Sequence, residues 1–506
     1  MDIIKHLFSN QQVRNLNLAR LLNQKDHQCD YSEICHHLDC SFLTMQSEIA
    51  HLASFPEVQS LPYIEPHLTV SYHHEFGPRK LYQSILLESP SLRLIEVLFF
   101  QTFPALDDLA EELFISLSTL KRLIKRTNLY LQLGFDCMIG VMGIRNISIM
   151  GEEEKIRLLY SKYFSEAYDS HVWPFDERVD ELFLSRLLKL IAKKTASKMD
   201  LSLFHHLKIT AAVNLFRFSQ GHGIDHIYSR SRVLYDQLEA DPEFQELAEL
   251  FSQAYALPLD VRALSEMFSH YLQKELVIDA QVDNYETSAS NYRIPPSAWL
   301  GTLESIEKKF SLQMPNKREI ARLLHNATIL QDKDTYEDFL VYDYREPYID
   351  YFASNYAVLL EGFQTALLSP FEKRGLTCSK EQQRQLLYLL LINWDNLFLR
   401  LSHAIPQQRV LIIERGSCNT GQFLQAYSGH YFDITIHDHY EVDMHQIKDD
   451  YDLVLTDINL ENVDGVDIYF FSQFVPSLVI KQLNLYWKEK IQSHFMQTDD
   501  VPKPID

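Results

Sequence analysis

Two segments in the first third of the chain each pair a short amphipathic helix with a second helix across a tight turn. In the first segment, apolar residues at i, i+3, i+4 and i+7 precede a break at Asp39 and Cys40, and Ser41 then fits a helix N-cap. The next helix carries Met45 and Ile49 on its apolar face. Helix, tight turn and helix form a helix-turn-helix, so residues 1–70 are predicted to be a helix-turn-helix domain.

The pattern returns in residues 71–155, which are predicted to form a second, winged helix-turn-helix domain. A short helix is predicted over residues 105–114, followed by a turn and a long recognition helix over about residues 116–131. Alternating apolar residues predict a β-hairpin wing that includes Leu129, Leu131, Leu133, Ile147 and Ile149.

The rest of the chain is predicted to be helical until its last hundred residues. Long amphipathic patterns predict two all-helical domains, over residues 156–280 and 298–404, joined by a polar linker over residues 281–297. From Arg409 onward, buried-strand patterns alternate with helical ones, which predicts a small α/β domain with a parallel sheet over residues 408–490. The fold class is therefore mostly α and multidomain.

Composition limits the classes of function that the chain can have. The net charge is −22, and DNA phosphates repel a protein of that charge, so any DNA-binding surface has to be a local cationic patch. The chain shows no signal-peptide core and no apolar run of the roughly 20 residues that a bilayer span needs, which predicts a cytoplasmic protein without membrane association. The cysteines and histidines of residues 27–40 lack zinc-ligand spacing, and no catalytic pairing is evident. We therefore expect no metal, no cofactor and no enzymatic activity.

The candidate DNA-binding residues lie mainly on the predicted recognition helix. Lys121 and Lys125, like Arg122 and Arg126, are spaced i, i+4 and so share one face of that helix. No acidic residue occurs between residues 113 and 133, and a cationic outer face suits the major groove. Hydroxyl groups at the helix start are candidates for phosphate binding: Ser116, Ser118 and Thr119. The first unit offers Thr44, Gln46 and Ser47, which could read bases or only support the second unit.

Several stretches resemble one family of regulators. The clearest are LAEELF at residues 109–114 and SLSTLKRLIK at residues 116–125. Others are FSNQQ at 8–12, YFSEAY at 163–168 with WPF at 173–175, HLKI at 206–209, EMFS at 266–269 and LHN at 324–326. Together, in order and spacing, they resemble the Mga/AtxA family of virulence regulators over nearly the whole chain.

The resemblance implies an architecture and a mode of control. It implies two helix-turn-helix units, two PRD-like domains (helical domains controlled by the sugar phosphotransferase system) and a C-terminal domain like the IIB component of that system. It also implies activation of virulence genes on double-stranded promoter DNA, with RNA polymerase and the phosphocarrier protein HPr as partners and a homodimer or higher homo-oligomer as the assembly. The phosphorylated residues that it implies are His206, His325 and His270.

Three alternatives stay open at this point. The regulatory domains would also suit an RNA-binding antiterminator. A phosphotransferase-system component could pass phosphate on through His206 or Cys418. A scaffold could use its helix-turn-helix units to bind only protein, in which case substitution of Lys121 or Arg122 would leave DNA affinity unchanged.

Overall fold

The chain divides into two compact units. The computed structural model describes residues 4–24, 28–61, 63–64, 67–142, 146–169, 171–195, 201–224, 226–269, 272, 294–331, 340–341, 343, 345–415, 419–428, 431–437, 444–460, 465–471 and 476–499. The first unit comprises Met1–Asp279 with Ile329–Tyr344, and the second comprises Ala280–Thr328 with Arg345–Asp506. Most of the predicted linker over residues 281–297 lies outside the described residues.

Helices and very short strands make up the first predicted helix-turn-helix domain. The elements are α1 (Asn10–Gln24), β1 (Gln28–Asp30), α2 (Tyr31–His37), α3 (Phe42–Leu52), β2 (Val58–Ser60), β3 (Tyr63–Ile64), β4 (His67–Thr69) and β5 (Ser71–Tyr72). Strands β1, β4 and β3 form one antiparallel sheet, and β2 pairs with β5. Ser41 caps α3 as expected, since its hydroxyl accepts a hydrogen bond from the amide of Thr44. The strands are not predicted from the sequence, because two or three residues are too few to show alternation.

The second helix-turn-helix region contains the short helix, the turn, the long helix and the wing that the sequence predicts. Its elements are α4 (Pro78–Leu87), α5 (Pro90–Phe100), α6 (Leu106–Glu112), α7 (Leu117–Phe135), β6 (Met138–Met142) and β7 (Asn146–Met150). Strands β6 and β7 form an antiparallel hairpin in which Ile139 lies opposite Ile149. Helix α7 packs on both α5 and α6, so the recognition helix is anchored from two sides.

The expectation that the wing begins near Leu129 is wrong, because α7 continues to Phe135. The buried positions of α7 follow helical spacing, with each three or four residues from another: Leu120, Leu123, Thr127, Tyr130, Leu131 and Phe135. Residues two apart in a helix lie on nearly opposite sides. Leu131 therefore faces the core, whereas Leu129 is 43% exposed and Leu133 is 64% exposed. These leucines alternate with other residues as in a strand, although they lie in a helix.

The helical region that follows shares its core with the winged domain. Its helices are α8 (Glu153–Ala167), α9 (Glu181–Thr195), α10 (Leu201–Ser219), α11 (Ser229–Leu238), α12 (Pro242–Tyr255) and α13 (Val261–Phe268). Phe99 of α5 lies with its ring centroid 5.0 Å from that of Phe164 on α8 and 4.8 Å from that of Phe216 on α10. One continuous apolar cluster thus joins these helices to the winged domain.

A buried ion-pair network surrounds Arg157 near the start of α8. The fully buried guanidinium of Arg157 lies 2.7 Å from the carboxylate of Glu266 and 3.1 Å from that of Glu153. It also donates to the backbone carbonyls of Glu266 and His222, at 3.1 and 2.7 Å. Glu153 binds Arg217 of α10 through both carboxylate oxygens. The network therefore ties the first turns of α8, directly after the wing, to α10 and α13.

The second unit joins helices to a parallel sheet. Its elements are α14 (Pro296–Phe310), α15 (Lys317–Gln331), α16 (Glu346–Asn355), α17 (Ala357–Glu372), α18 (Lys380–Asn393), α19 (Leu397–Ser402), β8 (Gln408–Ile413), α20 (Asn419–Ser428), β9 (Phe432–Ile436), α21 (Met444–Asp450), β10 (Leu453–Thr456), β11 (Asp467–Phe470) and α22 (Pro476–Asp499). All strand pairs are parallel, in the order β11-β10-β8-β9, which confirms the predicted parallel sheet. Within the described residues, no helix is both long and apolar enough to cross a membrane.

The last helix, α22, extends past the predicted domain end at residue 490 and packs on two layers. Trp487 lies against Phe432 of the sheet, with ring centroids 5.8 Å apart. Phe495 lies against Phe310 of α14, with centroids 6.0 Å apart. A side chain at Gly362 of α17 would collide with Phe310, so glycine allows α14 and α17 to approach closely. Sheet and helices of this unit therefore share one core.

Candidate nucleic-acid interface

The turn between α6 and α7 is tight and held by backbone hydrogen bonds. The amide of Phe114 donates to the carbonyl of Glu111, and that of Ile115 donates to the carbonyl of Ala110, both at 3.0 Å. Phe114 adopts the left-handed conformation, with φ of 55°. Ala110 is buried, so its small side chain allows α6 and α7 to cross closely. The geometry is that of a helix-turn-helix, with α7 in the place of the recognition helix.

Three hydroxyl groups cluster at the start of α7. The Ser116 hydroxyl accepts from the amide of Thr119 at 3.2 Å, and it lies 3.0 Å from the Ser118 hydroxyl and 2.9 Å from the Thr119 hydroxyl. Ser116 and Ser118 are exposed, and Thr119 is half-buried. The cluster therefore caps α7 and brings together the three hydroxyl residues that the sequence analysis singled out for phosphate binding.

The four basic residues of α7 differ in exposure: three are exposed and one is half-buried. Lys121, Arg122 and Lys125 are exposed, and α7 contains no acidic residue. Arg126 is half-buried, and its guanidinium donates to the hydroxyl of Ser91 at 3.1 Å. Burial lowers the pKa of Arg126 from its ordinary value. Arg126 therefore bridges α7 to α5, while the other three form a solvent-facing basic face.

Sequence spacing does not reveal this difference. The i, i+4 rule places Arg126 about 40° around the helix from Arg122, given 100° per residue. That rotation brings Arg126 toward the side of the buried Tyr130, four residues further on, at the border of the packed face. Three of the four basic residues are therefore exposed to solvent, whereas the predicted phosphate contact of Arg126 would compete with its bond to Ser91.

Replacing Arg126 with alanine is expected to lower the free energy of unfolding by about 1 kcal/mol, because a charge-assisted hydrogen bond to the buried Ser91 is lost. The salt dependence of DNA binding should stay close to that of the parent. Lys125→Ala is the matched control, with the opposite pattern: unchanged unfolding and a smaller salt slope. Urea unfolding and duplex-binding titrations of both variants measure the two effects. If Arg126→Ala reduces the salt slope as much as Lys125→Ala, Arg126 contacts phosphate after all.

The candidate residues of the first unit lie on α3 and form an uncharged surface. Gln46 and Ser47 are exposed and Thr44 is half-buried. The acidic residue of this helix, Glu48, is buried and paired with Arg14 at 2.6 Å. No Lys or Arg lies on α3, so this surface offers hydrogen-bonding groups but no cation to a phosphate backbone.

The candidate phosphorylated histidines differ in their surroundings. His206 lies on α10 and is half-buried. Both ring nitrogens of its neighbour His205 are buried and have no hydrogen-bond partner among the residues that the structure describes. Burial, and then the nearby Lys208, lower the pKa of this imidazole. His325 of α15 is fully buried, with Nδ1 3.0 Å from the carbonyl oxygen of Ile294. The third candidate, His270, lies outside the described residues, as does Cys418.

Comparison with known proteins agrees with this architecture. Residues 75–164 match the Mga helix-turn-helix domain, and residues 180–397 match the PRD domain of the M protein trans-acting positive regulator (MGA). The two matches together cover more than half of the chain.

Two curated relatives are also similar. A trans-acting regulator of Streptococcus pneumoniae is 23% identical over 499 residues, which is 95% of this chain and 98% of the relative. The capsule synthesis positive regulator AcpB of Bacillus anthracis is 21% identical over 243 residues, which is 47% of this chain and 48% of the relative. The chain therefore belongs to the Mga family of transcription regulators.

Proposed function

We propose that this protein is a DNA-binding transcriptional activator of virulence genes, regulated by histidine phosphorylation from the sugar phosphotransferase system. The observation that carries the DNA-binding part is the basic face of α7, formed by Lys121, Arg122 and Lys125. It stands on a chain of net charge −22, so it is a local cationic patch of the kind that binds a phosphate backbone. The hydroxyls of Ser116, Ser118 and Thr119 would add neutral phosphate contacts at the same helix end.

Activation and assembly rest on the family and its relatives. One relative is described as a positive regulator of capsule synthesis, which supports activation rather than repression. We infer a cytoplasmic homodimer or higher homo-oligomer that binds promoter DNA and RNA polymerase. A two-fold assembly would present two copies of α7 to two half-sites of a duplex.

Regulation would act through phosphoryl groups transferred from HPr to the histidines of the two helical domains. A phosphoryl group adds about −1.5 to −2 charges near neutral pH. His206 is half-buried, whereas His325 is fully buried, with Nδ1 3.0 Å from the carbonyl oxygen of Ile294. Because His325 is fully buried, a phosphoryl group there would bring about two negative charges into the interior, so its modification would require α15 to repack.

The test is duplex binding by the full-length protein before and after phosphorylation by HPr. A duplex is selected from a random-sequence library, and its affinity is measured by fluorescence anisotropy between about 50 and 200 mM salt. We expect tight binding that weakens steeply with salt, slow stoichiometric labelling, and a change in affinity after labelling that His206→Ala and His325→Ala together abolish.

Other outcomes identify the alternatives. Rapid turnover of the phosphoryl group to an acceptor would indicate a phosphotransferase component. Preference for a structured RNA over every duplex would indicate an antiterminator. Failure to bind any duplex, with helical structure intact, would overturn the DNA-binding proposal and favour a protein-binding scaffold.

A further inference from the structure

Asn128, in the middle of α7, makes two hydrogen bonds to one residue of the wing. Its side-chain Nδ2 donates to the carbonyl of Ile139 at 3.1 Å, and its Oδ1 accepts from the amide of Ile139 at 2.7 Å. Asn128 is half-buried. Asparagine is a weaker helix former than alanine, because its side chain competes for backbone hydrogen bonds. Its place inside a long helix is therefore explained by this contact with β6.

The pairing of the wing shows why Ile139 has both groups available. In an antiparallel hairpin, alternate residue pairs direct their amide and carbonyl groups outward, away from the partner strand. The pairs Ile139–Ile149 and Val141–Ile147 are two residues apart and so share this arrangement. In agreement, the amide of Ile147 donates outward to the carbonyl of Phe103 at 2.8 Å.

Both edges of the two-stranded wing are thus closed by groups outside it. On the β7 side the partner is the backbone of Phe103, and on the β6 side it is the side-chain amide of Asn128. A two-stranded hairpin alone is marginally stable in water, and open strand edges seek partners. The amide of Asn128 takes the position that a third strand would occupy and fixes β6 against α7.

We propose that Asn128 is a positioning residue that locks the β6–β7 wing to the recognition helix, so that helix and wing bind duplex DNA as one rigid surface. Asn128 follows Lys125 by three residues, about 4.5 Å along the helix axis. The wing is therefore anchored within one turn of the basic face. A wing held at that point is already ordered when α7 binds the duplex. Binding therefore does not include the entropic cost of ordering the wing. The proposal rests on the DNA-binding function proposed above.

The test uses the full-length protein and the duplex selected from the random library. The variants are Asn128→Ala, which removes both hydrogen bonds, and Asn128→Asp, which keeps an acceptor for the Ile139 amide but places a carboxylate against the Ile139 carbonyl. The matched control is Gln132→Ala, which removes an exposed side-chain amide one turn further along α7. Hydroxyl-radical footprints are recorded at saturating protein, together with the dissociation constant and the hydrogen exchange of the Ile139 amide.

We expect Asn128→Ala to raise the dissociation constant by roughly tenfold, the value of two modest hydrogen bonds. Asn128→Asp should also raise it, because one hydrogen bond is lost and the carboxylate repels the carbonyl of Ile139. Protection should be lost only at the nucleotides flanking the α7 contact, and the Ile139 amide should exchange faster. Gln132→Ala should behave as the parent. A parental footprint in both Asn128 variants, or a uniform loss of protection over the whole site, would overturn the positioning role. A parent protein that binds no duplex would overturn the DNA-binding function itself, which is a distinct result.

Discussion

Replacing Arg157 with methionine is expected to lower the free energy of unfolding of the first unit by about 3–5 kcal/mol. Methionine retains much of the volume of arginine but removes the charge that faces Glu266 at 2.7 Å. Glu266 is 1% exposed, so its carboxylate would be left buried, and its remaining ion pair would be the weaker one with Arg262, which is 56% exposed and 3.9 Å away. Breaking one side of a buried ion pair costs far more than the pair contributes, because the remaining charge loses both water and partner.

The control is Arg232→Met, at an arginine that is 69% exposed and paired with Asp236 at 3.4 Å. Surface pairs contribute about 0–1 kcal/mol, so this variant should unfold almost as the parent does. Urea unfolding followed by tyrosine and tryptophan fluorescence measures both. Equal unfolding midpoints for the two variants would show that water reaches the ion-pair network around Arg157, so that it is not a buried network.

Low pH should partly restore the stability of the Arg157→Met variant. Burial raises the pKa of Glu266 even with Arg157 present, and removing the guanidinium raises it further. A carboxyl whose pKa is higher in the folded state stabilises that state when protonated, and this contribution is lost as pH rises through the folded pKa. The stability difference from the parent should therefore shrink as pH falls toward that pKa. Adding Glu266→Gln should have a similar effect at neutral pH, since the amide carries no charge.

Replacing Lys121, Arg122 and Lys125 together with alanine is expected to abolish tight duplex binding. In a dimer the substitutions remove six cations, and each neutralised phosphate contributes about 0.9 to the slope of log affinity against log salt. The slope should therefore fall in magnitude by about 5, and affinity near 0.1 M salt should fall by at least about 100-fold. All three side chains are exposed, so the fold should be unaffected.

The matched control removes three exposed lysines from other helices: Lys189, Lys308 and Lys481. Its net charge equals that of the triple variant of α7, so it separates a local contact from general electrostatic attraction. We expect the control to keep most of the parental slope. If both triple variants lose affinity equally, the net charge governs binding and the basic face of α7 is not the contact.

The sequence predicts the helix-turn-helix well because its signals are local. The capping serine, the helical apolar spacing and the cluster of Lys121, Arg122 and Lys125 all lie within two short helices, where period and capping rules apply directly. The parallel sheet was predictable for the same reason, since residues 410–413 of β8 and 453–455 of β10 are continuous apolar runs. The short edge strand β11 escaped prediction because its four residues, Asp467–Phe470, mix polar and apolar side chains.

Sequence reasoning does not predict contacts between residues that lie far apart in the chain. Arg157 and Glu266 are 109 residues apart, and nothing local shows that both are buried together. Arg126 differs from Arg122 only in the side chains that other helices bring against it. In the sequence, nothing distinguishes Asn128 from other polar residues, and only its contact with β6 shows its role. In each case tertiary contact, rather than local pattern, decides the role of the residue.

The position of α22 affects how deletions of this chain are interpreted. The helix follows the sheet in sequence, yet Phe495 covers Phe310 of the preceding helical region. A chain shortened at residue 404 would lose the sheet and also expose the apolar surfaces of α14 and α17, which pack closely at Gly362. Loss of activity in such a truncated protein would reflect unfolding of the helical region as much as absence of the sheet. Point substitutions on the outer surface of the sheet are the cleaner way to assign a role to the C-terminal domain.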